Sequence, residues 1–342
     1  MSTTRDWPSV TCIMPVRDDA HALPSAVASI LEQEYPGPLG IVIAVAPSRD
    51  GSEEAARQLA SRDERVITIL NPDGTTPAGL NRGIERADGE VIARVDARSR
   101  LGPGYLHQAV ELLEETSADN VGGVQAAEGT TPFSRAVALA MTSRFGVGDA
   151  RFHTGGDPGP TDTVYLGVFR REALERVGGF DEILIRNQDY ELNYRLRRSG
   201  GIVYFDPRLR VSYEPRSSWR ALASQYFQYG TWKRVVVRRH PRSLRWRQAV
   251  PPLAVLANLF SLLLALGGER RALAVPLAYV GAALVATGAL TSRTDRARTA
   301  LWLPLVFTTM HHAWGIGFLI GRPPTVTIDR TAPPAGWLER SA

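Results

Sequence analysis

The sequence predicts an α/β protein with a mainly parallel, doubly wound sheet, followed by three transmembrane helices. Two observations carry this prediction. Residues 8–126 alternate short apolar runs with helical segments, a pattern typical of parallel sheets that are covered on both faces. After residue 248 come three long uncharged stretches, 249–267, 272–291 and 299–321, each long enough to cross about 30 Å of hydrocarbon as a helix.

The elements of the first part follow in order along the chain. Strands are predicted at 10–16, 41–46, 66–70, 91–95 and 121–124. Helices are predicted there at 19–34, 53–60, 78–87 and 105–115, and a further helix is predicted later in the chain at 187–200. In open parallel sheets, ligands bind outside the carboxyl ends of the strands. Those ends are followed here by residues 15–18, 46–50, 71–73 and 96–98, which we expect to line a site.

Composition narrows the class of protein. The chain has 342 residues, which suits two units better than one core. Its one cysteine, Cys12, excludes an internal disulfide and a cysteine-held metal cluster, and we expect it to pack in the core. Its one lysine, Lys233, follows a tryptophan, so the chain has no G-x-x-x-x-G-K-[ST] phosphate loop, and no G-x-G-x-x-G opens a helix.

The positive charge points to a membrane rather than to nucleic acid. The net charge is +5, and the arginines are spread along the chain with one exception. That exception, immediately before the first apolar stretch, consists of Arg234, Arg238, Arg239, Arg242, Arg245 and Arg247. Basic residues beside a span favour the cytoplasmic face of a membrane.

The same rule predicts an orientation. A second group, Arg293, Arg296 and Arg298, lies between the second and third apolar stretches, so both groups belong in the cytoplasm and the tail outside. No signal-peptide pattern precedes Val10, so we expect a cytoplasmic amino-terminal part in a multi-pass protein of the inner or cell membrane. An apolar hairpin packed on a soluble domain remains the alternative, and Pro251 with Pro252 weakens the first span.

Two aspartates are candidates for chemistry. Asp96 ends a predicted strand, where it is suited to hold a divalent metal or a ribose hydroxyl, or simply to cap the next turn. Asp189 follows Asn187, the predicted N-cap of a helix. A first-turn carboxylate is stabilised in its ionised form by the helix dipole, so Asp189 is suited to act as a general base or is an ordinary first-turn acid.

The stretch 225–234 is rich in aromatic and basic side chains and lies close to the first predicted span. It is either an interfacial belt helix or a wall of an acceptor site facing lipid. His311 and His312 lie within the third predicted span. Adjacent helical positions diverge by about 100°, so we expect these histidines to pack rather than to share a metal.

The order of several short motifs resembles the nucleotide-sugar half of family 2 glycosyltransferases with the GT-A fold. These motifs are Pro15-Val-Arg17-Asp18, Ser48-Arg-Asp50-Gly-Ser, Asn81-Arg-Gly-Ile-Glu-Arg-Ala-Asp-Gly-Glu90 and Asp96-Ala-Arg98. Residues 170–174, 178–182 and Asn187-Gln188-Asp189-Tyr-Glu191 resemble the acceptor half and its base motif. Gln228-Tyr-Gly-Thr-Trp232 is similar to the Q-x-x-R-W motif of processive members.

Further motifs resemble the succinoglycan-biosynthesis type of this family. They are Asp162-Thr-Val-Tyr, Tyr213-Glu-Pro-Arg216, the stretch 225–230 and the stretch that begins His312-Ala-Trp-Gly. The resemblance covers about residues 8–321. It divides the chain into a donor-binding half at 1–126, an acceptor half at 127–248, three spans within 249–321 and a tail at 322–342.

The resemblance implies an inverting hexosyltransferase. Its donor would be a nucleotide-sugar, with a UDP-sugar favoured. Its acceptor would be a lipid-linked or membrane-near saccharide in exopolysaccharide or glycolipid biosynthesis. Asp189 would be the catalytic base. The donor would meet Pro15, Arg17, Asp18, Ser48, Asp50, Asn81, Asp96 and Arg98, with Mn²⁺ or Mg²⁺ on Asp96. The acceptor side would comprise Asp162, Arg170, Gln188, Glu191, Gln228 and Trp232.

Three departures from the family pattern matter. Ala46 stands where the family has an aspartate that holds the uracil or ribose, so the sequence leaves open which nucleotide the donor carries. Arg98 stands where D-x-D has its second metal ligand, so metal dependence is open, and Arg98 is itself suited to pair with the diphosphate. Thr231 stands where processive members have arginine, which argues against a polymer synthase.

Two other functions remain possible from the sequence. Ala46 and Arg98 are compatible with a degenerate transferase that serves as a membrane-bound binding or scaffold protein. The base motif at Asp189 argues against that role. A nucleotidyltransferase on a similar sheet is disfavoured because Pro15-Val-Arg-Asp-Asp-Ala lacks the glycine-rich loop that such enzymes carry after their first strand.

Overall fold

The computed structural model of the chain describes residues 6–291 and 297–324. Its contacts divide them into two compact units. The sheet unit comprises the described parts of Met1–Ala126 and Gly156–Tyr213, and the helical unit comprises those of Ala127–Gly155 and Glu214–Thr325. The four-part division expected from the sequence stays a prediction, since it follows function rather than contacts.

Nine strands of the described residues form one sheet in the order β3-β2-β1-β4-β8-β6-β9-β5, with β7 beside β9. The strands are β1 (Val10–Val16), β2 (Leu39–Val45), β3 (Val66–Leu70), β4 (Val91–Arg94), β5 (Ser99–Leu101), β6 (Asn120–Ala127), β7 (Gly159–Pro160), β8 (Tyr165–Arg170) and β9 (Val203–Tyr213). Strands β1 to β4 pair in parallel, whereas β8 pairs antiparallel with both β4 and β6. The parallel character therefore belongs to the first half of the sheet.

Helices cover both faces of this sheet. They are α1 (Leu23–Leu31), α2 (Ser52–Arg62), α3 (Thr76–Arg86), α4 (Tyr105–Thr116), α8 (Arg171–Val177) and α9 (Gln188–Arg198). Cys12 and Met14 of β1 join a core with α1, α2 and α4, while Ile13 joins a second core with α3, α8 and α9. Alternate residues of a strand point to opposite faces, so the two cores confirm the doubly wound architecture.

The first helix is shorter than the helix predicted over 19–34. The chain after β1 turns at Asp18, whose φ is 51°, and the Asp19 amide donates to Ser52 Oγ at 2.9 Å. These bonds hold residues 18 and 19 in the loop, and α1 begins at Leu23 next to Pro24, a residue suited to a first helical turn. The difference matters because both aspartates then lie at the carboxyl edge of the sheet.

The helical unit comprises three short helices, α5 (Pro132–Met141), α6 (Arg144–Val147) and α7 (Arg151–Thr154), and five later ones. These are α10 (Trp219–Arg239), α11 (Trp246–Leu266), α12 (Ala274–Thr291), α13 (Ala297–Ala300) and α14 (Leu303–Ile320). Two glycines let α10 and α14 approach closely. A Cβ on Gly230 would lie 1.9 Å from Trp314 O, and one on Gly317 would lie 2.1 Å from Phe227 O.

Three helical segments of the described chain are long and apolar enough to cross a membrane: Trp246–Leu266, Arg270–Thr291 and Arg298–Ile320. The first was expected to be the weakest, yet it is helical through Pro251 and Pro252 and has the highest mean hydropathy, 2.1 against 1.9 and 1.3. Most of its apolar surface is exposed, as at Leu253 and Phe260. An apolar hairpin packed on a soluble domain would bury such surface, so membrane association is favoured.

His311 and His312 contact different partners, as their adjacency in a helix predicts. The ring nitrogens of His311 lie 3.0 Å from Tyr279 Oη and 2.9 Å from Phe145 O. His312 faces Asn258 and the Thr308 carbonyl. Of the second predicted arginine group, Arg293 and Arg296 lie outside the described residues.

Candidate active site

Three charged side chains meet at the carboxyl edge of the sheet. Arg94 ends β4, Asp96 follows it, and Asp189 lies in the first turn of α9. The Arg94 guanidinium donates to both Asp96 carboxylate oxygens, at 2.9 and 3.2 Å, and through its third nitrogen to Asp189 Oδ1. Only 4% of the Arg94 side chain is exposed, against 35% for Asp96 and 31% for Asp189. A buried cation therefore joins two partly open carboxylates.

The protonation of this group follows from burial and charge. Burial of the Asp189 carboxyl raises its pKa; Arg94 opposes that shift, Asp96 adds to it, and the net direction is upward. Burial alone would lower the pKa of Arg94, but the two carboxylates outweigh burial, so the pKa lies above the ordinary arginine value. Arg94 thus stays charged, whereas Asp189 is a stronger proton acceptor than an ordinary aspartate.

A second ion pair lies at the same edge. The Arg98 guanidinium donates to Asp19 Oδ1, and 53% of the Arg98 side chain is exposed. Burial raises the pKa of Asp19, Arg98 lowers it, and the nearby Asp50 and Asp96 raise it again. At this edge the exposed Arg98 guanidinium thus pairs with a carboxylate that has two further aspartates nearby.

Backbone and side-chain hydrogen bonds join the loops after β1 and β2. Asp18 Oδ1 accepts from the Arg49 amide at 2.8 Å, and Ser48 Oγ accepts from the Asp18 amide at 3.2 Å. Asp50 accepts from the Ala20 amide at 2.8 Å and from the Ser52 hydroxyl, and these bonds lower its pKa. The predicted donor residues Asp18, Ser48 and Asp50 therefore lie together where these two loops are hydrogen-bonded to each other.

Asn81 joins α3 to the turn before α9. Its amide accepts from the Phe180 amide at 2.8 Å and donates to Phe180 O and to Glu182 Oε1, each at 2.9 Å. Glu182 and its neighbours belong to the segment 178–182 that the resemblance assigns to the acceptor half. Asn81 thus fixes that segment against α3 through all three bonds.

Helix α9 has anchors of its own. Buried Glu191 accepts two bonds from Arg195, which also donates to Val177 O and Gly179 O. Buried Asn193 accepts from Asn120 Nδ2 at 2.7 Å and donates to Thr163 Oγ1 at 2.9 Å.

Two predicted acceptor-side residues lie beside these anchors: Asp162 precedes Thr163, and Gln188 is the buried first residue of the helix. The N-cap position of Asn187 is as predicted, but its φ of 61° is left-handed rather than extended.

Other predicted site residues have different contacts or belong to other elements. Arg170 pairs in register with Val91, at the start of β4, and donates to Leu113 O and Ala118 O near the opposite edge of the sheet. Pro15 lies within β1, and Arg17 is exposed and donates to Gly74 O. Gln228 and Trp232 belong to α10 in the helical unit.

The helical unit also explains one departure from the family motif. Thr231 is buried, and its hydroxyl donates to Phe227 O at 2.9 Å and to Gly317 O at 3.3 Å. Thr231 is thus enclosed at the contact of α10 with α14, and a Cβ on Gly321 would lie 2.0 Å from its hydroxyl oxygen.

Sequence reasoning missed two residues of the edge. Arg94 was noticed only as part of a strand, although a lone cation in the apolar run Val91–Val95 was a signal, since buried charge demands a partner. Asp19 follows Asp18, and the sequence alone favoured the first of the two. The structure places the second at the edge as well, where its carboxylate pairs with Arg98.

The residues at the edge fit a divalent cation held by a single protein carboxylate. Across residues 6–291 and 297–324, no group of three or more His, Cys, Asp or Glu side chains is close enough to hold a metal. Asp96 keeps about a third of its side chain open beside its bonds to Arg94. Mg²⁺ and Mn²⁺ accept one or two carboxylates when phosphate oxygens and water complete the shell.

Comparison with known proteins identifies the fold of the chain. The mannosyltransferase PcManGT of Pyrobaculum calidifontis, solved with GDP-Man and Mn²⁺, superposes with a TM-score of 0.58 over 91% of this chain and 88% of its own, at 20% sequence identity. The fold is therefore that of GT-A glycosyltransferases. Residues 11–178 match the family described as glycosyl transferase family 2. Residues 11–178 therefore carry a glycosyltransferase family 2 domain, which identifies the protein as a glycosyltransferase.

Two curated relatives extend beyond this domain. The succinoglycan biosynthesis protein ExoA of Rhizobium meliloti is 29% identical over 308 residues, which cover 90% of this chain and 92% of that protein. The dolichyl N-acetyl-α-D-glucosaminyl phosphate 3-β-D-2,3-diacetamido-2,3-dideoxy-β-D-glucuronosyltransferase of Methanococcus voltae is 23% identical over 246 residues, 69% of this chain and 76% of that protein. The similarity to the first includes the apolar carboxyl-terminal helices.

Proposed function

We propose that this enzyme transfers a sugar with inversion from a nucleotide-sugar to a lipid-linked saccharide, in exopolysaccharide or glycolipid biosynthesis. The observation that carries the proposal is the meeting of Asp96 and Asp189 at the carboxyl edge of the sheet. The name of the Rhizobium relative supports the pathway, and that of the Methanococcus relative supports a lipid-linked acceptor.

Asp189 is the proposed catalytic base. Its carboxylate removes the proton of the acceptor hydroxyl, and that oxygen attacks the anomeric carbon of the donor sugar. The bond between this carbon and the diphosphate oxygen breaks on the opposite face, and the nucleoside diphosphate leaves with the bonding electrons. The first-turn position, the partial exposure and the raised pKa of Asp189 support this role.

The diphosphate requires positive charge as it leaves. Arg98 is exposed, and its fork of donors suits a phosphate pair, so we propose that it exchanges Asp19 for the diphosphate. Asp96 is the proposed ligand of Mn²⁺ or Mg²⁺, which when bound supplies further charge to the phosphates. Because Arg98 replaces the second metal ligand, the metal assists the reaction without being indispensable.

We propose UDP as the nucleotide of the donor sugar, and GDP is the second candidate. The family resemblance favours UDP-sugars, whereas the structural neighbour was solved with GDP-Man. Buried Ala46 at the end of β2 offers no carboxylate to a uracil or ribose. The acceptor-side roles of Asp162, Arg170, Gln188, Glu191, Gln228 and Trp232 stay predictions.

The proposed location is the cell membrane, with the sheet unit in the cytoplasm. Four arginines that precede the first candidate span, Arg238, Arg239, Arg242 and Arg245, are exposed and suited to face anionic headgroups. Active-site access from the cytoplasm supplies the nucleotide-sugar, and attachment to the bilayer keeps the enzyme near a lipid-linked acceptor.

Release of nucleoside diphosphate tests this function. Detergent-purified enzyme is incubated with UDP-, GDP- and dTDP-sugars, with and without a lipid extract of the host, and with Mn²⁺, Mg²⁺ or EDTA. We expect release with one donor, stimulated by the extract, and lowered by EDTA less than by Asp189→Asn. Saturable nucleotide binding with no release from any donor would instead support a degenerate binding protein.

A further inference from the structure

We propose that Arg94 is a positioning residue that holds Asp189 in register with Asp96. This inference rests on the proposed role of Asp189 as the base. Arg94 leaves the last position of β4, a strand on the donor side, and reaches the first turn of α9, a helix of the acceptor half. Its three nitrogens are divided between the two carboxylates, two for Asp96 and one for Asp189.

The shape of the guanidinium is what permits this arrangement. Its nitrogens are fixed in one plane, so bonds to Asp96 along one side set the direction in which the third nitrogen points. Asp189 Oδ1 accepts from that nitrogen, which leaves Oδ2 as the oxygen without a bond to Arg94. A lysine would keep the charge, but its ammonium is a rotating point charge without the planar fork that sets the direction of both carboxylates.

The alternative is that Arg94 merely secures the helix. Other contacts argue against this, because Arg195 ties α9 to Val177 and Gly179, and Asn193 ties it to Asn120 and Thr163. Those anchors lie one and two turns beyond Asp189. Loss of Arg94 should therefore free the carboxylate of Asp189 while α9 stays in place.

The test compares Arg94→Lys and Arg94→Ala with the unaltered full-length enzyme, using the donor that gives release in the panel. A matched control is Arg65→Lys, which alters a bidentate Arg–Asp pair at the start of β3, away from the edge. We measure kcat and KM for the donor, the Kd for UDP and GDP by calorimetry, and the thermal midpoint.

We expect kcat to fall roughly 10- to 100-fold in both Arg94 variants, the cost of a misplaced reacting group. The nucleotide Kd and the donor KM should change by less than about threefold, because Arg94 is proposed to bond two carboxylates and not the donor itself. Added guanidinium should restore part of kcat in Arg94→Ala and none in Asp189→Asn. Arg65→Lys should match the unaltered enzyme.

Several outcomes would overturn the proposal. An unchanged kcat in Arg94→Lys would show that the link is dispensable, even if Asp189→Asn is inactive. If the Arg94 variants have a lowered thermal midpoint and weaker nucleotide binding, and added guanidinium restores no activity, the role of Arg94 is structural only. Full activity of Asp189→Asn would instead remove the base assignment, and the positioning role with it.

Discussion

The carboxylate of Asp189 is partly buried between a buried arginine and the surface, and its chemistry depends on that setting. Its pKa is raised because burial disfavours the charged form more than Arg94 restores it, with Asp96 adding to the shift. A base works only when deprotonated. Transfer should therefore decline as the pH falls through the raised pKa, and this decline should begin above the ordinary aspartate value of about 3.9.

A pH–rate profile of nucleoside diphosphate release under donor saturation checks this expectation. The fall in rate on the acidic side should lie at a higher pH than an ordinary aspartate would give. In Asp189→Asn, the low residual rate should show no such fall. A rate that stays flat down to about pH 4 would contradict the upward shift.

At the scale of residues, several candidate site residues could be named from the sequence. Local patterns made Asp96, at a strand end, and Asp189, in a first helical turn, candidates without deciding their roles, and the family resemblance supplied those roles. The structure places both at the carboxyl edge, where the roles stay predictions. Arg94 and Asp19 were missed because their significance lies in partners 95 and 79 residues away along the chain. Local patterns do not report which distant charge a side chain meets.

At the scale of elements, α9 depends on a buried polar network. Asn193 is 1% exposed and bonds both Asn120 and Thr163. Asn193→Leu would leave the Asn120 amide and the Thr163 hydroxyl buried without this partner, at a cost of about 1–3 kcal/mol for each group. The thermal midpoint of the detergent-solubilised enzyme should therefore fall by several degrees.

Gln58→Leu is the matched control, because Gln58 is an exposed amide whose bond to Glu54 lies on the surface of α2. It should leave the midpoint within about one degree of the unaltered protein. Equal midpoints for the two variants would contradict the role given to Asn193.

The elements also show where sequence reasoning succeeds. Strands β1 to β4 were predicted within a few residues, because each is a short apolar run between helices. Strand β9 was not predicted, since it alternates charged and apolar residues and contains Pro207. Its place beside β6, β5 and β7 depends on long-range pairing that no local period records.

At the scale of the whole molecule, the orientation in the membrane is testable because Cys12 is the one cysteine and is fully buried. Single cysteines can therefore be introduced without background. Glu269→Cys, at an exposed position between the first two candidate spans, should react with an impermeant maleimide in intact cells. Arg242→Cys, before the first span, should react only after permeabilisation. The reverse pattern would contradict a cytoplasmic sheet unit.

The most direct test of the account is nucleoside diphosphate release by the unaltered enzyme, Asp189→Asn and the control Asp63→Asn. Asp63 pairs with Arg65 at the start of β3, away from the edge. With donor and lipid extract, Asp189→Asn should lower the rate about 10²- to 10⁴-fold, while Asp63→Asn should leave it unchanged. Release by Asp189→Asn at the rate of the control would contradict the proposal that this carboxylate is the base.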